Sequence, residues 1–142
     1  MKSFVQRTTA LALAAFLATA VSAGAATDPC SLLTKADAVR VLGGAVTGGH
    51  RGNECSYRLS GTGKNVYASA DGTSAAVAYF NEVKKTGKPV SGLGAPAYFV
   101  AGSLSILKGG TLLQVGLITD TGDVKTMNPE LPALAKLVLS RL

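Results

Sequence analysis

The chain contains two cysteines, Cys30 and Cys55, and no others. A bond between them restrains the early chain more than any other local feature can, because it fixes the segment around residue 30 against the one around residue 55. In the loop-closure account such a bridge contributes about 3.5 kcal/mol, a large part of the ~5–15 kcal/mol that holds a small domain together. The spacing is not that of a CxxC redox pair, so a structural bridge is the expected role. Whether it forms depends on the compartment, and the N-terminus bears on that.

Lys2 and Arg7 give a short positive start. Ala10–Val21 is then uncharged and apolar, and Ala23-Gly24-Ala25 supplies small residues where signal peptidase reads. This is the order of a secretory signal. Its apolar run of 12 residues makes about 18 Å of helix, against a hydrocarbon core of about 30 Å, so a transmembrane anchor is not expected. Residues 1–25 are therefore read as a signal cleaved near Ala25 or Ala26, and residues 26–142 as one domain. The expected location is secreted or periplasmic, an oxidising setting in which Cys30 and Cys55 pair. A lipid anchor on Cys30 is not expected, since Thr27-Asp28-Pro29 before it is polar and rigid.

Hydrophobic residues at 47% and charged residues at 15% exclude a disordered chain. Removing Lys2 and Arg7 lowers the 14 basic residues to 12 against 8 acidic ones, a net charge near +4. The densest basic spot, Lys84, Lys85 and Lys88, reads first as cations at a helix C-terminus and second as a contact for an anionic envelope polymer. No basic stripe is interleaved with aromatics, so no nucleic-acid partner is expected.

Asp28–Leu33 reads as a helical turn. Thr34 and Asp37 form a capping box for a helix ended by Gly43. Residues 43–53, with five glycines, read as an irregular loop. Cys55–Leu59 and Val66–Ala70 form a β-hairpin about the Gly61–Asn65 turn. A helix runs over Ser74–Lys85 with Ala76, Val77, Phe80 and Val83 on one face, and Gly87 ends it. Three strands follow, at 97–100, 104–108 and 112–118, joined by tight turns. Asn128 and Pro129 open a last helix whose face is Leu131, Leu134, Ala135, Val138 and Leu142. The order α-β-β-α-β-β-β-α predicts an α+β domain, one antiparallel sheet of about five strands with helices mainly on one face and one disulfide.

Three segments in order carry a family resemblance. They are Asp28-Pro29-Cys30-Ser31-Leu32-Leu33-Thr34, Cys55-x-Tyr57, and Val90-x-Gly92-Leu93-Gly94-x-x-Ala97. Together they resemble small secreted bacterial domains of unknown function, often lipoproteins, of the LpqN-like and DPC-motif type. The resemblance spans nearly all of the mature chain. It implies an α+β sheet domain, the bridge and a cell-envelope location, and it brings no catalytic residues. The chain departs from many members in lacking a lipobox.

The sequence carries few residues in reactive arrangements. His50 is the sole histidine and would be the base of any small hydrolase, but it falls in the Gly-rich segment, a poor platform. Asp120 and Asp123 lack the spacing of a calcium loop, and no zinc set is present. Gly61–Lys64 lacks the flanks of a P-loop, and Gly92–Ala97 leads into a strand where a dinucleotide fingerprint opens a helix. No carboxylate pair stands out for glycoside chemistry. No catalytic residue, no metal and no cofactor are expected. Tyr57, Tyr67 and Tyr98 are the candidate ligand-binding residues, placed on strands where they could line a sheet face. The expected function is binding of an envelope component, a protein or a small apolar ligand. The alternatives are an inhibitor of a secreted hydrolase that presents the 43–53 segment, and a small hydrolase using His50.

Overall fold

A computed structural model describes residues 27–119 and 124–142. The signal expected over residues 1–25, and Asp120 and Asp123, lie outside the described residues. Four helices and seven strands follow the chain as α1 (Pro29–Leu32), α2 (Lys35–Leu42), β1 (Val46–Arg51), β2 (Glu54–Leu59), β3 (Asn65–Asp71), α3 (Ser74–Thr86), β4 (Lys88–Pro89), β5 (Ala97–Val100), β6 (Ser103–Lys108), β7 (Thr111–Ile118) and α4 (Leu131–Leu139). The strands form one antiparallel sheet in the order β1-β2-β3-β7-β6-β5-β4.

The α+β class and the single antiparallel sheet match the expectation, but the sheet has seven strands where about five were expected. The short β4 adds one. The other, β1, comes from the segment expected to be an irregular loop. Its glycines serve a close approach: Gly48 has φ +126°, and a Cβ there would lie 2.2 Å from the Ser56 carbonyl oxygen. Glycine lets this strand pair with β2 at all, with His50 opposite Cys55.

Local sequence explains the first helices. The Asp28 carboxylate accepts from the Cys30 N–H at 2.9 Å, capping α1. Thr34 and Asp37 cap α2 reciprocally, at 3.2 and 2.9 Å, and Gly43 closes it with φ +79°. The last helix departs from expectation. Asn128 accepts from the Glu130 N–H at 2.9 Å and closes a turn, while α4 itself starts at Leu131 with Pro132 in its first turn.

Registers sort the strand residues into two faces. The first carries Cys55, Tyr57, Val66, Ala68, Phe99, Leu104, Ile106, Leu113, Val115 and Leu117. It packs against Leu32 and Leu33 at α1, Ala38 and Leu42 of α2, and Leu131, Leu134, Ala135 and Val138 of α4, forming the main core. The Cys30–Cys55 bridge, with Cα atoms 5.0 Å apart, pins α1 to β2 beneath it. At one corner Asp37, nearly buried, accepts from both terminal nitrogens of Arg141 at 2.5 and 3.2 Å. The same guanidinium donates to the Leu32 carbonyl at 2.7 Å, which ties the chain's end to α1 and α2.

Helix α3 is the exception to packing on one face. Its Ala76 and Phe80 cover Leu112, with Tyr98 and Leu107, on the second face, and the Phe80 and Tyr98 rings meet edge to face at 5.7 Å. Gly87 lets the helix end come down on β5, since a Cβ there would lie 2.9 Å from both Tyr98 and Val100.

Candidate functional site

Helix α3 packs on β5, β6 and β7. Among the described residues no helix packs on the second face of β1, β2 and β3. Alternation from the buried Cys55 and Tyr57 puts Glu54, Ser56 and Arg58 on this open half, and pairing adds Thr47, Gly49 and Arg51 from β1. Tyr67 and Ser69 extend it across β3.

Between β1 and β2 the open half dips into a shallow groove of about 530 Å³, lined by Thr47, Gly48, Gly49, His50, Arg51, Ser56 and Arg58. Arg51 and Arg58 are both exposed and form no ion pair among the described residues. Glu54 stands directly across the ladder from Arg51. Register separates the two arginines by about four residues of strand, or roughly 13 Å. Two unpaired guanidiniums on either side of a hydroxyl- and glycine-floored trough can hold carboxylates or phosphates by paired N–H bonds.

Tyr67 anchors the inner wall. Its ring lies across Gly116 of β7, so near that a Cβ at Gly116 would sit 2.1 Å from the ring. Burial pushes the Tyr67 phenol above its usual pKa, and nearby Glu54 and Tyr79 push the same way, while a hydrogen bond with Ser103 opposes them. The phenol is therefore a neutral hydrogen-bonding group at physiological pH. On α3, Tyr79 is about half exposed, at 48%.

The structure divides the three candidate tyrosines. Tyr57 is buried in the main core on the first face. Tyr98 is on the second face but packs against Phe80, and Tyr67 alone borders the open half. His50 sits on β1 with Nε2 3.6 Å from Asp28 Oδ1, and both side chains are more than half exposed. Lys85 is paired with Glu82 at 2.8 Å on the helix surface. Among the described residues no three His, Cys, Asp or Glu side chains converge on a metal site. Gly61–Gly63 forms the β2–β3 turn, and Gly92–Pro96 precedes a strand.

Arg58 was legible in the alternation of β2, opposite in phase to Tyr57. Arg51 was not, because its segment lacked any periodic signal. No protein-family model matches the chain, and searches of curated proteins and of solved structures likewise found no match.

Proposed function

We propose that this is an exported, non-catalytic binding domain, secreted or periplasmic, that recognises an anionic component of the bacterial cell envelope through the open half of its second sheet face. The observation that carries the reading is the pair of exposed guanidiniums, Arg51 and Arg58, which flank a polar groove on a sheet surface and, among the described residues, have no ion-pair partner and no covering helix. The disulfide supports an oxidising compartment outside the cytoplasm, and no described helix is long and apolar enough to cross a membrane. The resemblance to LpqN-like envelope domains agrees with that location. His50, the imidazole a hydrolase would need, is a solvated residue beside a solvated carboxylate, a setting suited to surface charge rather than to general-base work.

The test is titration of the exported protein with two probes, a phosphodiester-linked polymer and poly-glutamate, at several salt concentrations. Saturable, salt-sensitive binding is expected to one of them. The double variant R51E/R58E should weaken it at least tenfold. Binding that ignores both substitutions, or no binding to either probe, rejects the reading. Intact mass of the exported protein reports signal cleavage at Ala25 or Ala26 and the state of Cys30.

A further inference from the structure

The opposite edge of the sheet holds a second hollow of different chemistry. Where α3 ends above β4 and β5, a groove of about 420 Å³ is lined by Thr86, Lys88, Phe99, Val100, Val124 and Lys125, with Ala101 at the adjoining turn. It runs on into a hollow of about 300 Å³ that shares Lys88, Phe99 and Lys125 and adds Pro89, Val90 and Met127. The floor is aliphatic and aromatic. Val124 is a large apolar side chain left exposed at 38%, and Lys88, also exposed, makes no ion pair among the described residues. Five strand spacings, roughly 24 Å, separate this groove from the arginine-lined one, so the two are independent sites.

We infer that this groove binds a fatty carboxylate, a single unbranched acyl chain with one anionic head. An apolar trough with an unpaired ammonium at its rim complements a ligand that is apolar along its length and negative at one end. A neutral apolar molecule would leave Lys88 unused, and a hydrophilic anion would leave the Val100 and Val124 surface wet. The combined hollow falls within the ~300–1,000 Å³ typical of small-molecule sites, room for one chain. The acyl chain lies along Val100 and Val124, and the carboxylate meets the Lys88 ammonium.

Titration calorimetry of the exported protein with fatty carboxylates, kept below their micelle concentrations, tests the site. Dodecanoate should bind one to one. Affinity should rise roughly tenfold for each added pair of methylenes until the groove is filled. K88Q should weaken dodecanoate roughly fivefold while leaving uncharged dodecanol unchanged, as expected for one exposed charge pair. T86W, at an exposed position, should fill the groove and weaken both ligands with the melting temperature unchanged. R51E/R58E should leave dodecanoate binding intact. Absence of saturable binding overturns the inference, as does binding that survives T86W or that R51E/R58E abolishes. Because the last variant reports on the arginine groove alone, failure of either site is read separately.

Discussion

The Asp37 carboxylate looks, in sequence, like the second half of a capping box, and it is one. The structure adds a partner that no local pattern could announce, because Arg141 stands 104 residues further on. The hydrogen bond from the Arg141 guanidinium is the main cause that lowers the Asp37 pKa from the ordinary 3.8 to about 2, against the opposing effect of burial. A pKa lower in the folded state than in the unfolded chain means stability that is present above about pH 4 and is lost as pH falls through about 2. The shift corresponds to about 2 kcal/mol. D37N should therefore be less stable than the parent at pH 7, and the gap should close between about pH 4 and pH 2 in denaturant melts. A gap independent of pH would show that the pair does not carry this stability. A second residue is strained. Ala101 has φ +48° in the two-residue turn to β6, where Gly102 is also left-handed. Such turns favour glycine or asparagine at this position. A101G should raise stability by about 0.5–1 kcal/mol once the left-handed penalty is set against the added chain entropy, read from the urea midpoint; a lower midpoint would refute the assignment.

Elements were legible where a period or a cap announced them. The hairpin of β2 and β3, helix α3 and the meander β5-β6-β7 follow alternation, helical spacing and tight turns, each bounded by glycine. Strand β1 was not legible, because a strand made of Val46-Thr47-Gly48-Gly49-His50-Arg51 has a single buried side chain and no alternation to detect. Its partner β2 makes it a strand. The same blindness hid half of the candidate site, since Arg51 belongs to that strand. The side of the sheet on which α3 settles was also hidden: Ala76 and Phe80 signal an apolar face but not which surface receives it. That choice bears on whether the fold is a duplication. Two helix-plus-three-strand halves meeting at the antiparallel β3–β7 pair would be related by a two-fold axis normal to the sheet, which keeps both helices on one face. Helices α2 and α3 lie on opposite faces, so the halves are not symmetric copies. The bridge between α1 and β2 was legible from count and compartment alone. Reduction, or the C30S/C55S double variant, should cost about 3.5 kcal/mol of unfolding free energy. Equal denaturation midpoints with and without reductant would mean that α1 and the Asp37–Arg141 clamp hold this corner unaided.

At the scale of the whole molecule, one sheet supports two unequal cores. The main core joins twelve strand side chains of the first face to α1, α2 and α4, whereas the second consists of Ala76, Phe80 and Leu112, with Tyr98 and Leu107 at its edge. Cooperativity follows buried contact, so regions with few buried apolar contacts open at lower free energy than the global transition. Helix α3 is joined to β3 by the short Gly72-Thr73 link and to β4 by Gly87 alone, and lifting it leaves the first face and its helices intact. Native-state hydrogen exchange should therefore show α3 amides exchanging through a sub-global opening, while those of β3 and β7, paired at the centre of the sheet, exchange only with global unfolding. F80A sharpens the test. Truncating a buried phenylalanine typically costs about 3–5 kcal/mol, and if α3 opens alone, the variant loses protection chiefly in α3 and much less in the β3–β7 pair. Loss of protection by equal amounts throughout would show instead that the two faces melt as one unit. Selective opening has a consequence for binding. Tyr79 of α3 lies near Tyr67 of β3 at the border of the open half, so opening of α3 would loosen that border while the arginine-bearing strands stay fixed by the main core beneath them.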